Sequence, residues 1–365
     1  MRQINATRKT PKFLLAPLTI LFCAAFLGLA TTSTAAGTGA CSVTPKPPTG
    51  STAPFDGVCD YLSEREGVKQ AAIFDNETND TYVLSTGNAT QYTASIAKVD
   101  ILGMWLNRYQ RQGVKIPGQI PYSIKYLMAR MINNSDNAAA TALFHFGGGC
   151  SSLKLFNLKI PMNDTQVGCE SDNYYGWGNT QTTAADQLKL MKLYAYDNSQ
   201  SPTFGAHAKK RSHKRCKKLN KPAKRKACAR RVKRRFAQLA RKPILGEDAR
   251  AYGNSLMQGV EPDQRFGITC GPWGTTCDAP NWAVPDPDVT VRVKNGWKTL
   301  PTCTDPIPQC PWQVNSTGWV KGKGRDYTLS VLTTKDPVGS GGVDGFNYGI
   351  ETIQGISKQV WANLG

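Results

Sequence analysis

QYTASIAKVDIL, residues 91–102, places Ser95 three positions before Lys98 at the head of an apolar run. Ile96, Val99, Leu102, Trp105, Leu106 and Tyr109 recur at helical spacing, which predicts a helix with one buried face. On such a helix Ser95 and Lys98 lie on the same side. The spacing alone decides nothing, because at average usage an SxxK arises by chance about once in a few hundred residues. The chain indeed holds a second, Ser151 to Lys154, which follows Gly147-Gly148-Gly149-Cys150 and reads as a capped loop or helix start.

The surroundings of the first copy are more informative. Upstream, Gln70–Phe74 and Thr81–Leu84 flank Asp75-Asn76-Glu77-Thr78-Asn79-Asp80, the pattern of a β-hairpin. From Tyr122 to about Tyr196 the pattern is helical, broken at Asn133-Asn134-Ser135-Asp136-Asn137 and by a Gly-, Asn- and Tyr-rich stretch from Gly168 to Thr180. Later the period changes to two: Val289, Val291 and Val293 alternate with polar residues in a half-buried strand that ends at Asn295-Gly296-Trp297. Trp312–Val320 and Tyr327–Thr333 read as two further strands, joined through Lys321-Gly322-Lys323-Gly324. Ile353, Ile356, Val360 and Leu364 mark a terminal amphipathic helix. Strands at both ends with helices between predict an α+β fold, an antiparallel sheet flanked by helices with a helical lobe beside it.

The 365 residues are 40% hydrophobic, ample for a domain with a large core. Arg2, Arg8, Lys9 and Lys12, the apolar stretch Phe13–Ala30 and the small residues ending at Ala36 have the layout of a secretory signal over residues 1–36. An uncleaved N-terminal anchor is the alternative, and either version exports the chain. Thr38-Gly39-Ala40-Cys41 lacks the aliphatic residue expected before a lipidated cysteine. Residues 37–54 read as a linker and 55–365 as the folded domain. Ten cysteines follow the signal, an even number that predicts disulfides in an oxidising compartment. Neighbour pairing gives 41 with 59, 150 with 169, 216 with 228, 270 with 277 and 303 with 310. The three histidines stand in no zinc-ligand spacing with cysteine, so no metal or cofactor is expected.

The net charge of +19 is local. Residues 209–242 hold 18 of the 45 Lys and Arg and no acid, and the other 27 are matched by 26 acidic residues. The chain reads as a nearly neutral body, expected to be monomeric, with a basic insertion at about 206–243. Asn220-Lys221-Pro222, midway between Cys216 and Cys228, fits a helical hairpin closed by a disulfide. The insertion is either a solvated excursion or a tether to anionic wall polymers or lipid headgroups. Nucleic acid is not expected, since Phe236 is the segment's sole aromatic.

Three elements now stand in order: Ser95-Ile96-Ala97-Lys98 opening a helix, Ser135-Asp136-Asn137 between helices, and Lys294-Asn295-Gly296 on a strand. The set resembles the serine β-lactamases and penicillin-binding proteins, whose signature is SxxK, SDN and KTG. The resemblance runs over most of residues 60–365, the basic segment excepted. It implies a β-lactamase/transpeptidase-like fold and a serine hydrolase acting on β-lactams or D-Ala-D-Ala type cell-wall peptides. A serine hydroxyl needs a base beside it, and a desolvated Lys98 near other cations is suited to take its proton. By resemblance Ser135 relays a proton to the leaving nitrogen, Asn137 holds the substrate amide, and Lys294 supports the relay and attracts a carboxylate. The backbone N–H of Ser95, at a helix start, is one candidate oxyanion donor, and the resemblance implies the N–H of Trp297 as the second. Asn295, Gly296 and Trp297 complete the expected substrate-binding set.

Bland readings compete at single positions: Asn133–Asn137 as a helix cap, Lys294 as an exposed strand lysine, KNG as a turn, and His145 as a core or loop residue. The chain also departs from the class A pattern. Between Gly168 and Thr183 the ExxLN motif that activates water for deacylation is missing, and Glu170 beside Cys169 is a poor substitute. Asn295 replaces the KTG threonine, and only 40 residues separate Ser95 from Ser135. Acylation is therefore expected with slow hydrolysis. The alternative is a weak or inactive relative that binds cell-wall components.

Overall fold

The computed structural model describes residues 40–45, 53–169, 175–196, 216, 219–239, 243–277, 283–300, 310–337 and 344–365. The expected signal lies outside these. In chain order come β1 (Ser42–Thr44), α1 (Val58–Ser63), β2 (Val68–Asp75), β3 (Asp80–Ser85) and β4 (Gln91–Tyr92). A 3-10 turn at Ala94–Ile96 leads into α2 (Ala97–Arg111), α3 (Tyr122–Asn133), α4 (Asn137–Phe146) and α5 (Gly149–Asn157). Then follow β5 (Gln181–Thr182), α6 (Ala184–Ala195), α7 (Pro222–Leu239), α8 (Glu247–Gln258), β6 (Val289–Thr299), β7 (Trp312–Gly322), β8 (Arg325–Thr334) and α9 (Gly345–Asn363).

Six strands form one antiparallel sheet in the order β1-β3-β2-β8-β7-β6, so the two ends of the chain meet where β2 pairs with β8. The β7–β8 turn carries Lys323 and Gly324 at φ of 48° and 75°, the primed two-residue turn that matches strand twist. On one sheet face Ala71, Ile73, Val291, Val293, Leu329 and Val331 pack against Ile353, Ile356 and Val360 of α9. On the other, Ala72, Phe74 and Leu332 meet Ala184 and Leu188 of α6. β8 is buried on both faces for this reason. The helical lobe has its own core, with Leu102 and Leu106 of α2 set among Met131, Leu143, Phe156, Met191 and Met257.

Four of the expected disulfides are present, Cys41–Cys59, Cys150–Cys169, Cys216–Cys228 and Cys270–Cys277. Cys310 is disulfide-bonded as well, and Cys303 lies outside the described residues. The basic insertion carries α7, while most of the first arm of the expected hairpin falls outside the described residues. No helix among the described residues is long and apolar enough to cross a membrane.

Three readings change. The strand expected to end at Asn295–Trp297 runs on to Thr299 in register with Trp312, so KNG is mid-strand and not a turn. Ser42–Thr44, inside the expected linker, pairs with β3 as an edge strand, and Cys41 is pinned there to α1. His145 is an exposed residue in the last turn of α4, because the buried stripe of that helix is carried by Ala140, Leu143 and Phe144. Ser151 lies in the first turn of α5, which starts at Gly149 after a left-handed Gly148, so it is at a helix start as expected.

Candidate functional site

The Ser95 turn is held from three sides. Thr93 N donates to Thr180 O at 2.7 Å, and β4 pairs with β5. Asn315 of β7 donates from Nδ2 to Tyr92 O (2.9 Å) and Thr93 O (3.0 Å). Ala94, just before the serine, sits at φ 46°, a left-handed conformation that costs a non-glycine residue about 1–3 kcal/mol. The clamps on either side keep it there, and α2 starts two residues after Ser95.

Lys98, one turn further on, is fully buried. Its Nζ lies 2.8 Å from Ser95 Oγ, 2.6 Å from Ser135 O, 2.7 Å from Asn137 Oδ1 and 3.1 Å from Ser135 Oγ. Burial, and then the neighbouring charge of Lys294, lower its pKa to about 6. Lys294 is also buried, its pKa lowered by desolvation to about 7, and it donates to Ser135 Oγ (2.9 Å) and Asn295 O (2.7 Å). Ser135 therefore stands between two lysine amines.

Local structure explains that placement. Ser135 adopts φ 55°, a second left-handed non-glycine residue, which turns the chain between α3 and α4. Asp136 caps α4 by accepting from Ala139 N at 2.9 Å, and Arg130 bonds its other oxygen at 2.5 Å. The Ala139 bond, then Arg130, hold the Asp136 carboxyl below its usual pKa. The segment is thus a helix cap and also a site wall. Asn137 is the first residue of α4, exposed and with Oδ1 on Lys98.

On β6 the two-residue alternation assigns the other groups. Leu300 N donates to Pro311 O, and counting back by twos sends the N–H of Lys298, Gly296 and Lys294 toward β7. Those of Trp297 and Asn295 face the free edge, so Trp297 N–H is available beside Ser95. Gly296 makes this approach possible: a Cβ there would stand 2.6 Å from Ser95 N and from Ile96 N, and 2.9 Å from Thr93 O. These are backbone atoms that no rotamer change removes. Gly296→Ala is expected to lower the thermal midpoint by about 3–8 °C, read by scanning calorimetry, as overpacking does.

Asn295 departs from expectation. Its side chain is buried and donates to Gln264 O (2.8 Å) and Phe266 O (3.1 Å), away from Ser135 and Lys98. The Trp297 ring likewise packs on Phe266 and Phe346, so that residue offers only its backbone to the site. Two residues that the sequence reading missed stand nearby. Trp177, buried in the 3-10 turn Gly176–Asn179, places its ring 5.0 Å from Lys98 Nζ and donates from Nε1 to Thr141 Oγ1 at 3.1 Å. Lys298, on the Lys294 face of β6, bonds Asn179 Oδ1 at 2.5 Å and lies 4.8 Å from the Tyr92 ring. Among the described residues, the carboxylate whose charge reaches Lys98 is Asp136, already engaged by Ala139 and Arg130. Glu170 lies outside them.

In chemical terms, a hydroxyl bonded to a desolvated amine, a second hydroxyl between two amines and an edge-strand N–H form an arrangement for acyl transfer.

A family model for the beta-lactamase enzyme family matches residues 60–364. Similar solved structures include a class A beta-lactamase representative from Bacteroides cellulosilyticus DSM 14838, 14% identical, with a TM-score of 0.54 over 85% of this chain and 96% of that one. A class A beta-lactamase from Mycobacterium abscessus is 15% identical, with a TM-score of 0.53 over 84% and 98%. The TLA-1 extended-spectrum beta-lactamase is 14% identical, with a TM-score of 0.56 over 85% and 98%. At these identities the structures speak for the fold. No curated protein sequence matches the chain.

Proposed function

The chain belongs to the beta-lactamase enzyme family and is a serine hydrolase of that group, and we propose that Ser95 is its nucleophile, acylated by β-lactams or by D-Ala-D-Ala type cell-wall peptides. The observation that carries this reading is the 2.8 Å approach of Lys98 Nζ to Ser95 Oγ. A neutral amine has two N–H groups and one lone pair. Ser135 O and Asn137 Oδ1 can only accept, so they take the two N–H groups and leave the lone pair for the Ser95 proton.

Ser95 Oγ attacks the amide carbonyl carbon as its proton passes to Lys98. The new C–O bond puts negative charge on the carbonyl oxygen, which the N–H groups of Ser95 and Trp297 receive. The C–N bond then breaks, and the proton travels from Lys98 through Ser135 Oγ to the leaving nitrogen. Lys294, 2.9 Å from Ser135, favours that relay and draws a substrate carboxylate to the cleft. Asn137 keeps its amide nitrogen for a substrate carbonyl.

Release of the acyl group needs a base for water, and among the described residues Lys98 has the Trp177 indole beside it and no carboxylate free of other partners. The acyl-enzyme therefore persists. Nitrocefin is expected to give a burst of about one equivalent, then turnover far below the ~1–10³ s⁻¹ of ordinary enzymes. Sustained turnover in that range overturns the slow-release reading. A second reading, favoured by the turned-away Asn295, is a relative that binds wall peptides without acylation.

Residues 1–36 and the cysteine pairs support export, with the chain secreted or held at the cell envelope. The helix Pro222–Leu239 supports the polyanion reading of the insertion: its Lys and Arg through Arg231 are exposed, and it contains no acid. Anionic wall polymers or lipid headgroups fit that charge.

A further inference from the structure

The end of α2, the α4–α5 turn and α5 enclose a cleft of about 700 Å³ on the lobe surface. Arg108, Arg111, His145 and Lys159 line it together with Phe146 and Leu155, and among the described residues no carboxylate does. Neither arginine makes an ion pair among the described residues. The Arg111 charge acts on Lys159, whose pKa is lowered to about 8 by desolvation first and by that charge second. An anion seated there would offset that charge.

The rim is apolar. Phe146 is 66% exposed, Leu155 60% and Leu158 54%, and Leu155 lies three residues before Leu158, the residue that caps the C-terminus of α5 in helical conformation, so the two leucines lie on one side. Large aliphatic and aromatic side chains standing in water beside two arginines that make no ion pair among the described residues are the composition of a surface that lies in a lipid headgroup layer. A soluble polyanion would use the cations and leave the three apolar side chains wet. The root of the basic insertion adjoins the same place, since Asn107 Nδ2 donates to Ile244 O at 2.6 Å while its Oδ1 accepts from Lys159, and Gln110 donates to Pro243 O at 2.9 Å.

We propose that this face docks on an anionic phospholipid bilayer, with the Arg108–Arg111–Lys159 cleft taking a lipid phosphate while Phe146, Leu155 and Leu158 enter the headgroup boundary. The docking is independent of the Ser95 chemistry. Residues 1–36 and α7 can hold vesicles by themselves, so the readout must be local. Hydrogen exchange of residues 145–159 in the full chain is measured with vesicles of phosphatidylcholine and phosphatidylglycerol (roughly 7:3), with phosphatidylcholine vesicles, and with soluble polyphosphate. Exchange is expected to slow by about tenfold or more on the anionic vesicles alone. The protection is expected to disappear in Arg108→Gln/Arg111→Gln and in Phe146→Ser/Leu155→Ser, whose exposed sites leave the thermal midpoint unchanged. No protection on anionic vesicles, equal protection by polyphosphate, or protection that survives in both double variants overturns the proposal. The polyphosphate outcome would assign the cleft to a soluble polymer.

Discussion

Ser95→Ala is expected to abolish the covalent band formed with a fluorescent penicillin, lowering the rate of label incorporation by about 10⁴-fold or more, as loss of a serine nucleophile does elsewhere. The fold should not feel the change. The Ser95 hydroxyl is bonded to Lys98, and its backbone is fixed by β4, β5 and Asn315 without help from the side chain. A thermal midpoint within about 2 °C of the parent, beside a lost band, separates lost chemistry from lost structure. Undiminished labelling in the alanine variant would move the nucleophile elsewhere.

Lys98→Met removes the base and is expected to slow acylation by about 10²–10⁴-fold. The pH profile of the parent carries the same claim. Burial and the charge of Lys294 disfavour the ammonium form, so the Lys98 pKa falls from 10.5 to about 6. The free base then dominates above pH 6, and acylation is lost as pH falls through that value. At pH 5 about one-tenth of the amine remains neutral. Lys294→Met takes away a neighbouring cation and eases protonation of Lys98, which moves the acid limb to higher pH. Stopped-flow labelling between pH 4.5 and 8 reads both effects. A rate that is flat down to pH 5 would show that Lys98 is not the titrating base.

Much of this site was legible because its parts are periodic. The stripe from Ile96 to Tyr109 placed Lys98 one turn after Ser95, and the valines at 289, 291 and 293 fixed a strand under Lys294. The same alternation held a signal that the KNG motif obscured. Asn295 and Trp297 have the parity of the buried valines, whereas Lys294, Gly296 and Lys298 have the other, which puts Asn295 on the α9 side of the sheet. Trp177 had no such signal. It lies in a short turn after an aperiodic stretch, and its position beside Lys98 depends on the packing of α4 through Thr141. Ser42–Thr44 were hidden for a related reason, since three residues are too few to alternate and their pairing partner lies 39 or more positions along the chain.

The most direct test is the mass of the full chain during incubation with benzylpenicillin at pH 7, followed by peptide mapping. The account predicts one adduct per chain on the peptide containing Ser95, formed at a rate that falls below pH 6 and persisting long after free drug is removed. An unmodified chain at high drug concentration, or an adduct on a peptide without Ser95, would contradict it.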